Sequence, residues 1–108
     1  MAFTITPTNT DLLELEYPNG FRVACMVDTP VSALLGTYHT EHHTIWYDHK
    51  GYVGDIGFTE EEAHHMHAIL TEYIKTDEYA MHPYFSSRHD QMEQFLAFLP
   101  ECGGFTLG

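Results

Sequence analysis

The chain has 108 residues, and 16 acidic against 4 basic side chains give it a formal charge of −12 at pH 7. That length suits one domain, spanning 1–108, with a core of its own, and 44% hydrophobic content excludes a disordered acidic tail. With only Arg22, Lys50, Lys75 and Arg88 as cations, it lacks the side chains that neutralise phosphate, which excludes direct nucleic-acid or anionic-membrane binding.

The first expected element is a short edge strand over Phe3–Thr6, interrupted by Pro7. A second strand covers Leu12–Tyr17, with Leu13, Leu15 and Tyr17 on one face and Glu14 and Glu16 on the other. Pro18-Asn19-Gly20 then reads as a hairpin turn, because Asn and Gly tolerate positive φ. The returning strand is Phe21–Val27, alternating Phe21, Val23, Cys25 and Val27 against Arg22, Ala24 and Met26. Asp28-Thr29-Pro30 ends it. Val31–Leu35 fits either a strand or a buried connection. Thr37–Tyr47 is rich in β-branched and aromatic residues and is expected to pair in the same sheet. Asp48-His49-Lys50-Gly51 reads as a turn with Gly51 left-handed. Tyr52–Ile56 returns from it, with Gly54 as a weak point or bulge, and Gly57-Phe58 leads into a helix.

The helix at Thr59–Lys75 is the strongest local signal. Thr59 and Glu62 form a capping box, Glu60, Glu61 and Glu62 suit the positive end of the helix dipole, and Lys75 suits the negative end. Ala63, Met66, Leu70, Tyr73 and Ile74 make one apolar stripe. Glu60, His64, His67 and Thr71 line up beside it, with Ile69 on its other side and His65 outward. A loop or short helical turn runs to Met81, and His82-Pro83 breaks it. A second helix starts at Ser87, with Ser86 and Ser87 as caps and Met92, Phe95, Leu96 and Leu99 inward. Pro100 and Gly103-Gly104 close it, and Phe105–Gly108 is a tail. The expected fold is therefore α+β: an antiparallel sheet of about four strands with two C-terminal helices packed on one face.

No run is apolar enough to span a bilayer or act as a signal peptide, so a cytoplasmic protein is expected. There the two cysteines, Cys25 and Cys102, which stand in no CxxC or CxxH pattern, are expected as reduced thiols, with Cys25 in the core.

Imidazole and carboxylate are the ligands of zinc and other divalent transition metals. Glu60, His64 and His67 share one helical face, and His39, Glu41 and His43 share one strand face. A metal site is accordingly drawn from His39, His43, Glu60, His64 and His67, although none of these spacings is a zinc signature. Glu61 and His64 form an ExxH pair like that of di-iron bundles, but no second ExxH stands on another helix. His42-His43-Thr44 resembles one HxT motif of the 2H phosphoesterases, whose chemistry needs a second such motif that the chain lacks. Ser32, Ser86 and Ser87 sit in no GxSxG elbow, so no nucleophilic triad is assigned. His39, His42 and His43 are close enough in sequence for protonation near pH 6 to add mutual repulsion, which would make a pH switch.

The remaining signal is the charge itself. Four cations cannot pair sixteen anions, and unpaired carboxylates among aromatic side chains suit an interface. Glu14, Glu16, Glu60, Glu61, Glu72, Asp77 and Glu78, together with Trp46, are the expected partner-binding residues for a basic protein surface. In size and charge the chain resembles small acidic phage-encoded inhibitors, among them many anti-CRISPR proteins. That resemblance implies a non-enzymatic inhibitor docked on a basic surface of its target, such as a nucleic-acid-binding site. The competing expectation is a metal-binding protein or metal-dependent enzyme built on the His/Glu cluster.

Overall fold

Apolar and polar side chains alternate strictly at the N-terminus, and this sets the first strand. In the computed structural model, which describes residues 2–41, 44–52 and 56–108, β1 (Ala2–Pro7) buries Phe3, Ile5 and Pro7. It pairs antiparallel with β2 (Leu15–Pro18) on one side, Phe3 opposite Tyr17 and Ile5 opposite Leu15. On its other side lies β7 (Gly104–Leu107), with Ile5 opposite Leu107 and Pro7 opposite Phe105. A short strand, β6 (Gly57–Thr59), adds to the far side of β7. The result is a four-stranded antiparallel sheet in the order β2-β1-β7-β6 among the described residues. Phe3, Ile5, Tyr17, Phe58, Phe105 and Leu107 are buried, while Thr6, Glu16, Thr59 and Thr106 are exposed, so the sheet is amphipathic strand by strand.

Two expectations at the ends of the chain are corrected. The Phe3–Thr6 segment is an interior strand, not an edge, and Phe105–Gly108 is no tail but most of the strand beside it. Pro7 is tolerated because the Thr4 and Thr8 N–H groups donate to Gly108 and Gly104 across β7. The Pro7 nitrogen therefore faces the β2 side, where pairing has already ended at Ile5 and Leu15.

The expected hairpin is also corrected. Asn19–Met26 is a helix, α1, not a turn and returning strand. Phe21, Ala24 and Cys25 recur at i, i+3 and i+4 and are buried, whereas Val23, which a strand would place beside them, is 45% exposed. Both the alternating and the helical pattern place Phe21 and Cys25 inward, and β1 already occupies the partner position beside β2. Leu13, expected inward, is 87% exposed and precedes β2. Phe21 becomes the hub of the core, its ring 4.4 Å from Tyr17, 5.5 Å from Phe95 and 6.1 Å from Phe85, in the tilted and edge-on geometries aromatic rings prefer.

Val31–Leu35 resolves into a short helix, α2 (Ser32–Leu35). The Thr37–Tyr47 segment forms β3 (Tyr38–Glu41) and β4 (Thr44–Tyr47), which pair with each other, and β4 also pairs with β5 (Gly51–Tyr52). Among the described residues this is a separate three-stranded sheet, not an extension of the first. The turn at Asp48–Lys50 closes on Gly51 at φ +87°, as expected. Residues 53–55, including the expected weak point at Gly54, lie outside the described residues.

The long helix, α3 (Glu60–Tyr73), starts where its capping box places it. Glu62 N–H donates to Thr59 Oγ1 at 3.1 Å, and Thr59 N–H donates to Glu62 Oε1 at 3.0 Å. Ala63, Met66, Leu70 and Tyr73 are buried. A short helix, α4 (Asp77–Met81), follows, capped by Thr76. Ser86 and Ser87 fall in a 3-10 turn, Phe85–Ser87, so they do not cap α5 (His89–Phe98), which begins later and has no side-chain cap among the described residues. Phe95 and Phe98 bring α5 against the sheet, 6.0 and 5.9 Å from the Phe105 ring. Cys25 and Cys102 are buried free thiols, and no helix among the described residues is long and apolar enough to cross a membrane.

The start of β7 needs glycine. Gly104 has φ +99°, and a Cβ there would stand 2.7 Å from the Phe58 carbonyl oxygen, whereas one on Gly57 would meet only Thr106 Cγ2 at 3.7 Å. Urea unfolding is expected to show Gly104→Ala destabilised by about 2–3 kcal/mol and Gly57→Ala within about 0.5 kcal/mol of the parent.

Candidate partner-binding face

The last turn of α3 and the first of α4 meet the loop between α1 and α2 at an open groove of about 530 Å³. Ile69 and Tyr73, one helical turn apart, and Pro30 give it an apolar lining, while Glu72, Asp77 and Glu78 stand around it with Thr76. These three carboxylates are exposed.

Neighbouring bonds hold the groove in shape. The Tyr73 ring packs edge-on against Tyr79 and Phe85, at 5.7 and 6.4 Å. Buried Thr29 donates its hydroxyl proton to the Cys25 carbonyl and accepts from Val31 N–H at 3.1 Å, which fixes the loop carrying Pro30. His82, just past α4, lies 3.0 Å from Asp28 Oδ2 through Nε2, and its Nδ1 accepts from Tyr84 N–H at 3.0 Å. Those partners assign the proton to Nε2, so a neutral imidazole ties the loop to the far end of α4. Burial, and after it the charges of Glu78 and Asp28, raise the Tyr73 phenol above its ordinary value, marking negative potential at this seam.

Among the described residues few of the anions are neutralised by a lysine or arginine. Lys50 pairs with Glu62. Lys75 pairs with Glu72 at 3.2 Å, but both side chains are largely exposed, and such a pair contributes little. Arg22 lies 5.2 Å over the Phe3 ring and donates to Asn19 Oδ1. Arg88 lies 4.3 Å over Tyr84 and donates to the Tyr84 carbonyl. The described arginines thus spend their charge on rings and neutral acceptors.

The expected partner-binding residues are grouped only in part. Glu72, Asp77 and Glu78 come together at the groove. Glu60 and Glu61 are exposed at the opposite end of α3, roughly 18 Å away at 1.5 Å per residue. Glu14 and Glu16, also exposed, belong to the β2 edge of the sheet, while Glu60 and Glu61 follow β6 at the other edge. Trp46 stacks on His39 in the small sheet, ring to ring at 4.2 Å.

Of the expected metal ligands, His39 lies 2.8 Å from Asp48 Oδ1 through Nε2. Glu60 and His64 are exposed, and His67 is half-buried. Among the described residues no three His, Cys, Asp or Glu side chains gather where they could hold a metal ion. His42 and His43, which the HxT-like motif and the histidine pH switch both need, lie outside the described residues. Sequence reasoning missed Pro30, Ile69 and Tyr73 as groove residues. Each looks locally like a turn or a helical stripe, and only the fold joins them.

Glu62 is the half-buried member of the first turn of α3. Partial burial acts to raise its pKa, but hydrogen bonds from Lys50 and Thr59, with the Lys50 charge, bring it below the ordinary glutamate value. A carboxyl depressed in the folded state stabilises the fold above its unfolded pKa, about 4.3, and loses that contribution as pH falls through the folded value. Urea midpoints measured from about pH 6 down to about pH 3 are expected to fall less steeply for Glu62→Gln than for the parent.

No protein-family model, curated protein or solved structure matches this chain, and the face is therefore read from its own chemistry.

Proposed function

We propose that this is a small acidic binding protein, of the inhibitor type, whose negative face docks on a basic surface of a partner protein. The observation that carries the reading is the charge balance. Sixteen carboxylates face four cations, and the described arginines are engaged by rings and neutral acceptors. Glu72, Asp77 and Glu78 concentrate part of the surplus beside an apolar surface. A basic partner relieves the self-repulsion and is drawn in by the long-range field. Surfaces that bind nucleic acid are basic because Lys and Arg neutralise phosphate, which makes such a site on the partner the natural target, in the manner of acidic phage-encoded inhibitors. The buried free thiols suit the reducing cytoplasm, where we place the protein.

A pull-down from a cell lysate at low and moderate salt tests this. Basic proteins are expected on the column at about 50 mM salt and largely released at about 300 mM, where screening is stronger. The triple variant Glu72→Gln, Asp77→Asn, Glu78→Gln is expected to retain far less. For the partner recovered, the association rate is expected to drop about tenfold or more across that salt range. Absence of any basic protein at the low-salt condition would end the proposal.

A further inference from the structure

Resting on that docking reading, we infer that the groove between Pro30, Ile69 and Tyr73 receives an apolar side chain of the partner, carried on a segment with lysine or arginine on either side of it. The floor is apolar and fixed, because Tyr73 is wedged against Tyr79 and Phe85 and Pro30 sits on the loop held by Thr29 and His82. The rim is anionic, from Glu72, Asp77 and Glu78. Charge alone does not use the floor, and an apolar anchor alone does not use the rim. A basic segment with an apolar centre uses both.

A second copy of this chain is a poor occupant. Each copy carries −12, and two such rims repel. Lys75, the cation next to the groove, is already beside Glu72.

The contributions are separable. Burying one leucine-sized side chain is worth roughly ten- to a hundredfold in affinity. Exposed ion pairs add a few-fold each and are screened by salt. The groove therefore supplies a salt-resistant preference for an apolar centre.

Fluorescence anisotropy on the full chain tests this with two labelled synthetic peptides, one with two leucines between lysine pairs, the other with serines in place of the leucines. The leucine peptide is expected to bind about tenfold tighter or more. Ile69→Ser should erase that preference and leave the serine peptide unchanged, whereas Asp77→Asn with Glu78→Gln should weaken both. Pro30→Ser, at an exposed position, provides the same test should Ile69→Ser fail to fold by circular dichroism. Equal affinity for the two peptides overturns the groove assignment while leaving docking by charge intact. Binding of neither peptide at low salt overturns it too, and the pull-down then decides separately whether docking by charge survives. A dimer seen by sedimentation and dissolved by Ile69→Ser overturns it in favour of a second copy.

Discussion

The antiparallel pairing of the two ends of the chain, β1 with β7, is the constraint on which the rest depends. β7 sits between β1 and β6, so it is the strand that joins the N-terminal pair to the segment leading into α3. Thr59 ends β6 and caps α3, and Gly104 at the start of β7 lies against the Phe58 carbonyl and the Glu60 amide. The position of the long helix is thereby set by a strand more than forty residues later in sequence. Contacts of such separation carry a large loop-closure cost before they return any burial, and the aromatic residues across this sheet, Phe3, Tyr17, Phe58 and Phe105, supply the burial that offsets it.

Local chemistry was legible where one segment carried its own evidence. The start of α3 follows from Thr59 and Glu62, its buried stripe from Ala63, Met66, Leu70 and Tyr73, and the turn at Gly51 from a residue free to take positive φ. The α+β class and the four antiparallel strands follow as well, but two of the strands forming the main sheet were assigned differently. Gly104–Leu107 is four residues long, too short for alternation to separate a strand from a tail. Asn19–Met26 shows the opposite failure. Its Asn-Gly pair and alternating side chains satisfy the rule for a hairpin, yet the burial of Ala24 and exposure of Val23 obey helical spacing. Which pattern wins depends on whether β2 has another partner, and that information lies in β1.

Electrostatics and packing divide the molecule in a way that makes its charge tolerable. The core is built on a connected set of rings around Phe21, and the described carboxylates lie outside it. Glu62, which is half-buried at the edge of that core, is matched by Lys50 and the helix cap. The other first-turn acids, Glu60 and Glu61, still gain from the helix N-terminus. Glu72 has no such advantage, because it lies near the end of α3, where the dipole disfavours an anion, with only an exposed lysine beside it. Asp77 and Glu78 favour α4 locally but add to the negative field around Glu72. The local stability of α3 does not explain a carboxylate at that position, whereas the proposed recognition of a cation would.

The misread segment turns out to build the candidate site. As a helix, the eight residues of α1 advance the chain about 12 Å, where a strand of the same length would advance it about 26 Å. The shorter path delivers Asp28, Thr29 and Pro30 to the end of α3, where the Asp28 carboxylate meets His82 and Pro30 faces Ile69 and Tyr73. A hairpin at this point would have carried the same loop away and left the last turn of α3 as an ordinary acidic helix end. The apolar floor and the anionic rim therefore have separate origins, one in tertiary placement and the other in composition. In the proposed docking their division of labour follows from their physics: exposed carboxylates act at a distance and would govern the rate of encounter, while a fixed apolar surface acts only on contact and would govern how long the contact lasts.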